Sequence, residues 1–245
     1  SIDVPSCWQF RGYGKPAYIN LRYPFRYAPP KVPVDKPVGW YCSVLDGIKH
    51  APKGEWNHIG LYRTFFDVED VSKRHVLSFL GVASCMELYV NGSFVGYSEE
   101  SHNTAEFDVS SLVHEGSNEM LVLVRRWCSG SYLECQDMFR NNGIFRDVLL
   151  RISNKSDIWD IDFKTYKHEC LYDAKIDVEV SGSLEVSVSL EGHGLILKKT
   201  LVCRDSCGGT LSFCFKDLDV LEWNAEQPNL YDLFIETKDS CVHQR

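Results

Sequence analysis

The chain has no cluster of basic residues: 26 Lys and Arg against 34 Asp and Glu leave a formal charge of −8 over 245 residues. Nucleic acid and anionic membrane surfaces both need concentrated Lys and Arg, so neither is an expected partner. No apolar run approaches the roughly 20 residues that span a bilayer, and no signal peptide is visible in a chain that opens at Ser1. Ten cysteines are present, yet none forms a C-x-x-C pair. The single C-x-x-x-C, at Cys203 and Cys207, lacks nearby histidines in a zinc-ligand pattern, so capture of a metal by thiols is not expected. The cysteines read as scattered reduced thiols, which points to the cytoplasm. Two sequons, Asn91-Gly-Ser and Asn154-Lys-Ser, pull the other way, but so short a motif often arises by chance. A long helix is excluded up to Pro33, because Pro5, Pro16, Pro24, Pro29, Pro30 and Pro33 interrupt the segment; short extended pieces are expected there.

What the chain does have is strand pattern. A composition 44% hydrophobic and 13% aromatic can build buried cores. Gly60–Val68, His75–Gly81, Met120–Trp127 and Val148–Ile152 read as strands. Glu87–Val90 and Phe94–Tyr97 flank Asn91-Gly92, which favours a tight hairpin because both turn positions need positive φ. After Asn154 come six short alternating runs: Ile158–Phe163, Ala174–Val180, Leu184–Leu190, Lys199–Cys203, Leu211–Phe215 and Leu230–Glu236. Their turns fall at Ser181-Gly182, at Gly192-His193-Gly194 and at Gly208-Gly209. Such a series predicts a β-sandwich of immunoglobulin type, with no disulfide implied. The domain boundary falls near Ser153–Lys155.

The densest chemistry lies in the loop Trp127–Asp147, WCSGSYLECQDMFRNNGIFRD, between two predicted strands. Loops carry binding groups more often than strands do, and this one holds Glu134, Asp137, Arg140, Arg146 and Asp147 with Tyr132, Phe139 and Phe145 interleaved. Arg140, Arg146 and Asp147 are expected to pair with one another and tie the loop down. Asp137, in mid-loop, is the candidate for binding. Glu99 and Glu100 are adjacent on an extended segment, point in opposite directions and are expected to solvate a surface strand.

The loop is also recognisable. GSYLECQDMFRNNGIFRDV resembles GSYLEDQDMWRxSGIFRDV of the large β-galactosidases of glycoside hydrolase family two. VPSCWQFRGYGKPAYINLRYPF, from Val4, resembles that family's VPSNWQxxGYDxPIYTNxxYPF, and the stretch from Gly96 to Trp127 resembles its GYSQDSRLPAEFDL…RW segment. From Ser153 onward the likeness is weaker, anchored by LEWNAEQPNLYDLFIE. The resemblance implies an all-β chain: a jelly-roll, galactose-binding-like sugar-binding domain over 1–153 that lacks its first strands, then an immunoglobulin-like β-sandwich over 154–245 that lacks its last strand or strands. It places both catalytic glutamates, and the magnesium beside them, in a (β/α)8 barrel that this chain does not contain. Retaining glycosidases need two carboxyls about 5–5.5 Å apart, and no pair here replaces them. The expected role is therefore the non-catalytic N-terminal part of a β-galactosidase, acting on lactose-like galactosides in the intact enzyme. The resemblance makes Asp137 a contact to a galactose hydroxyl and to a sodium ion, and makes Asn57 a second contact to the sugar. In an alternative register, produced by an inserted stretch over 35–59 expected to be a solvated loop, Lys36 takes the place of Asn57. No cofactor is expected for this chain alone. Self-association is expected, because uncovered strands leave apolar surface and open edges. A free-standing carbohydrate-binding module and a truncated assembly protein are the competing readings.

Overall fold

A computed structural model of the chain describes residues 2–14, 16, 18, 29–31, 57–134 and 137–245. The chain divides into two compact units, Ser1–Ile152 and Ser153–Arg245.

The first unit is a β-sandwich. Its strands are β1 (Ile59–Val68), β2 (Arg74–Phe79), β3 (Val82–Ala83), β4 (Cys85–Val90), β5 (Ser93–Glu99), β6 (Ala105–Asp108), β7 (Gly116–Arg125), β8 (Gly143–Ile144) and β9 (Val148–Ser153). One sheet runs β1-β7-β4-β5 and another β6-β2-β9, while β3 and β8 form a short ribbon. Successive side chains on a strand face opposite sides, which decides what is buried. Met120, Val122 and Val124 of β7 and Met86, Leu88 and Val90 of β4 share one core with Leu77 and Phe79 of β2. Phe79 meets Phe107 edge-on, with centroids 6.1 Å apart, the arrangement that ring quadrupoles favour.

The Asn-Gly hairpin forms as the sequence predicts. Asn91 has φ 50° and Gly92 φ 78°, the two left-handed positions of a type I′ turn, and Val90 pairs with Ser93 across it. The Asn91 side chain has a second task. Its Nδ2 donates to Leu112 O at 2.9 Å and Asn118 Oδ1 at 2.8 Å, and its Oδ1 accepts Glu119 N–H at 2.9 Å. A glycan would replace one of the two hydrogens that this nitrogen donates, so the sequon at Asn91 is a structural asparagine.

The second unit has strands β10 (Asp157–His168), β11 (Leu171–Ser181), β12 (Leu184–Gly192), β13 (Leu195–Cys203), β14 (Gly209–Leu218), β15 (Asp232–Glu236) and β16 (Cys241–Gln244). They form a β10-β11-β14 sheet and a β13-β12-β15-β16 sheet, a three-on-four antiparallel sandwich of immunoglobulin type. Ala174, Ile176, Val178 and Val180 of β11 face Val186, Val188 and Leu190 of β12 through a core shared with Phe213, Phe215 and Ile235. The cysteines among the described residues are free thiols, including Cys203 at the edge of this core.

Four strands escape the sequence pattern. The ribbon β3–β8 is two residues long on each side, too short to show a period. β6 carries AEFD and β16 carries CVHQ, and neither has a run of apolar residues. The proline-punctuated first segment contains one turn of 3-10 helix, Trp8–Arg11, where only extended pieces are expected; Gly12, with φ 89°, ends it. The inserted stretch from 35 to 56, including Lys36, lies outside the described residues.

Alternation on β11 makes a direct prediction. Ile176→Ala, at a fully buried position, is expected to lower unfolding stability by about 2–5 kcal/mol, and Glu179→Ala, on the exposed face, by less than about 0.5 kcal/mol. Urea unfolding of both variants checks this; equal losses would mean the strand faces are misassigned.

Candidate functional site

The loop Trp127–Asp147 leaves the end of β7 and returns through β8 to β9. Almost no regular structure is available to satisfy its backbone, and side chains do so instead. At its start Asn57 brackets Trp127: Nδ2 donates to Trp127 O at 2.9 Å and Oδ1 accepts Trp127 N–H at 2.8 Å. An amide used this way acts as one residue of a neighbouring strand. Next comes a turn of 3-10 helix, Ser129–Tyr132, entered through a hydrogen bond from Cys128 N–H to Ser131 Oγ at 3.0 Å. Cys128 itself is a buried thiol, with Sγ 3.6 Å from Ser84 O. Its hydrogen bond with Cys85, and then burial, push its pKa far above the ordinary thiol range, so it is a packing group rather than a nucleophile.

Glu99 holds the same turn. Its carboxylate accepts the Ser129 hydroxyl at 2.7 Å and Gly130 N–H at 2.6 Å. Burial pushes the Glu99 carboxyl up, but hydrogen bonds from Ser129, Tyr97 and Gly130 outweigh it and hold the group below the usual glutamate range. Glu99 is thus a half-buried brace, not the solvated strand residue expected from its extended segment. Glu100, with φ 107°, is exposed as expected and, among the described residues, accepts from Asn103 Nδ2 at 2.5 Å.

Glu134 is also turned inward. It accepts Ser101 N–H at 2.5 Å and Ser101 Oγ at 2.6 Å, and Arg140 Nη1 lies 3.5 Å from it, both side chains being 9% exposed. Arg140 reaches Ser131 O as well. Arg146 instead donates to Leu80 O at 3.2 Å and His102 O at 2.8 Å and lies over the Phe145 ring. The expected mutual pairing of Arg140, Arg146 and Asp147 therefore does not occur. The reason is the β3–β8 ribbon, which falls between the two arginines: Arg140 precedes it in the interior, whereas Arg146 and Asp147 follow it at the surface.

The loop closes on the first segment. Gln9 Nε2 donates to Asn142 Oδ1 at 2.8 Å and Asn142 N–H donates to Gln9 Oε1 at 2.9 Å, a reciprocal pair in which both residues are buried. Asn142 Nδ2 donates further to Arg126 O at 2.9 Å, and Trp8 N–H donates to Asn142 O at 2.9 Å. Gly143 follows with φ 127°, where a Cβ would lie 2.8 Å from Ser6 O and 2.9 Å from Tyr62 Oη. The WQ of the first segment and the NNG of the loop are two halves of one lock.

Asp137 is placed differently from Glu134 and Arg140. It is exposed, and its carboxylate accepts a hydrogen bond from the Tyr18 hydroxyl. Around it Met138 and Phe139 are about half exposed and Leu133 is 87% exposed. The Tyr18 and Phe139 rings lie 5.9 Å apart. Of the two residues expected to contact a sugar, one is at this tip and the other, Asn57, holds the start of the loop through its backbone. Sequence reasoning missed the supporting residues Gln9, Glu99, Ser101 and Asn142, for which strand period carries no signal.

Residues 1–153 match the family model described as glycosyl hydrolases family 2, sugar binding domain. The chain belongs to glycoside hydrolase family two. It is 36% identical over 244 residues to a β-galactosidase of Actinobacillus pleuropneumoniae, covering 100% of this chain and 22% of that protein. It is 37% identical to a β-galactosidase of Alteromonas mediterranea, covering 98% of this chain and again 22% of the relative. The chain thus spans about a fifth of the length of these curated relatives. Among solved structures, a Bacteroides uniformis β-glucuronidase superposes with a TM-score of 0.65 at 18% identity, over 77% of this chain and 26% of that one. That likeness carries the fold alone. Within the family-two framework, the first unit is a jelly-roll sugar-binding domain and the second an immunoglobulin-like sandwich.

Two predictions concern the framework. Gln9→Leu leaves two buried groups of Asn142 without partners, so it is expected to cost about 1–3 kcal/mol for each group. Its effect should be strongly non-additive with Asn142→Leu in a double-mutant cycle, and additivity would mean the pair is not coupled. Glu99 has a folded pKa below its unfolded one, so its stabilisation is fully present above the unfolded value and is lost as pH falls through the folded value. Glu99→Gln is expected to flatten the acid limb of the stability–pH curve, which melting curves across the acid range would register.

Proposed function

We propose that this chain serves as the non-catalytic N-terminal part of a β-galactosidase, and that its loop tip completes a sugar site whose reacting carboxyls lie in another part of the protein. One observation carries the reading. The polar side chains Glu99, Glu134, Arg140 and Asn142 are turned inward to hold the loop, whereas Asp137 is turned outward among Leu133, Met138 and Phe139. A carboxylate and apolar groups presented together on a braced loop suit contact with a second surface and with a polar ligand between them.

The chemistry proposed for Asp137 is recognition. A fixed carboxylate accepts hydrogen bonds from sugar hydroxyls, and a galactose ring offers several. The same oxygens suit a hard cation such as sodium, which takes oxygen ligands. Asp137 fits as one such ligand, and the others would come from outside this chain. No residue here is assigned to magnesium. Asn57 is the second proposed sugar contact. Its amide already bonds Trp127 on both sides, so only its second N–H and second lone pair are left for a hydroxyl.

Two experiments test this reading. Freed of host enzyme, the chain alone is expected to hydrolyse no chromogenic β-galactoside; turnover would overturn the non-catalytic assignment. In the full-length protein, Asp137→Asn is expected to weaken galactoside and sodium binding by about one to two powers of ten, from loss of hydrogen bonds to a charged group worth roughly 1.5–3 kcal/mol. The melting temperature should hold. Asp137→Phe should cost more, because it also fills space proposed for sugar. A variant that melts earlier but keeps its response to sodium would reduce Asp137 to a brace for Tyr18.

A further inference from the structure

Far along the sequence from this loop, three side chains from three strands of the second unit converge. His168 ends β10. Asp173 lies in β11 where its register with β14 shifts between Tyr172 and Ala174, and Asp217 lies on the opposite strand with φ 56°. His168 Nε2 is 2.9 Å from Asp173 Oδ1 and 3.9 Å from Asp217 Oδ1, and one donor atom from each residue falls within 4.8 Å of the other two. We propose that His168, Asp173 and Asp217 form a binding site for a divalent transition-metal ion of the zinc class.

The donor set is the first argument. Two carboxylates bring a charge of −2 against a dication. An imidazole nitrogen in the set favours zinc and its neighbours over magnesium or calcium, which prefer oxygen alone. Distance is the second. Zinc binds imidazole nitrogen and carboxylate oxygen at about 2.0–2.2 Å, so ligands around it sit roughly 3.3 Å apart in a tetrahedral arrangement. The two separations from His168, 2.9 and 3.9 Å, bracket that value, and Asp217, with its side chain 74% exposed, is free to close the difference by rotation. The third argument is what the simpler pairing leaves over. A hydrogen bond between His168 and Asp173 uses two of the three groups, while Asp217 Oδ1, at 3.9 Å, is beyond hydrogen-bond reach of the ring. An ion between them engages all three. Asp217 N–H already donates to Asp173 Oδ1 at 3.0 Å, orienting that carboxylate as outer partners do around bound metals. Lys216 is the neighbouring charge that opposes the ion. With three protein ligands at a partly exposed position, water completes the coordination, and the ion ties the β10–β11 turn to β14.

The test is a calorimetric titration of the whole chain with zinc in a non-chelating buffer under a phosphine reductant, repeated with cobalt and followed by visible absorption. One saturable site is expected, and zinc should raise the melting temperature. His168→Ala and Asp217→Asn should each weaken binding at least about tenfold. Asn tolerates a left-handed φ, so Asp217→Asn keeps the backbone even where His168→Ala loosens the turn. The cobalt spectrum should lack the intense thiolate charge-transfer band that capture by Cys170 or other exposed cysteines would give. Three results overturn the proposal: a thiolate band, affinity unchanged in Asp217→Asn, or no saturable binding below the millimolar range.

Discussion

A loop of twenty-one residues can lie against a sandwich only if the N–H and C=O groups it buries find partners, since each one left alone costs as much as a lost hydrogen bond. That requirement shapes the first unit more than any single packing contact. Among the described residues of the loop the named strand is the two-residue β8, so amide side chains take much of the backbone's place. Asn57 does so for Trp127, and Gln9 and Asn142 do so for one another. Carboxylates act similarly, Glu99 for Gly130 N–H and Glu134 for Ser101 N–H. These bonds tie the described part of the loop to β5, to the first segment and to Asn57.

This division explains why some of the structure is legible in the sequence and some is not. Period-two alternation depends only on which face is buried, so the strands at Met120, Ala174 and Leu184 can be read directly. The Asn91-Gly92 hairpin can be read because its backbone geometry admits few residues. The two-residue ribbon β3–β8 has no period to show. Its absence from the reading also misplaces the arginines: seen as one irregular segment, the loop puts Arg140 and Arg146 near one another, whereas the ribbon separates interior from surface between them.

The site is legible for a different reason, and less completely. Resemblance in WCSGSYLECQDMFRNNGIFRD singles out this loop, yet most of what makes that string recognisable is framework: Ser131, Glu134, Arg140, Asn142 and Gly143 hold the chain in shape. Chemistry alone does not sort them, because Glu134 and Asp137 are both acidic and three residues apart. Burial does. Glu134 is 7% exposed and answered on both oxygens, while Asp137 faces outward. Asn57 shows the reverse difficulty. An amide assigned to a ligand by resemblance here has a full structural task, and side-chain amides serve both uses because each carries two donors and two acceptor positions.

Asp137 itself is under two demands that draw on the same oxygens. The Tyr18 hydroxyl donates to the carboxylate, which also gives the loop a reason to keep an acid there without any ligand. The apolar flank separates these cases. A carboxylate kept only as an acceptor for a tyrosine gains nothing from the exposed apolar surface of Leu133, Met138 and Phe139, and covering it against a second surface would be worth about 1.5–3 kcal/mol for Leu133 and about half that for each of the half-exposed Met138 and Phe139. Such a rim lowers the local dielectric once it is covered, so the bond from Tyr18 and any bond to a sugar hydroxyl or cation both strengthen there. On the function proposed above, a second surface would close over the tip, and the bond from Tyr18 would keep the charge aimed until it did.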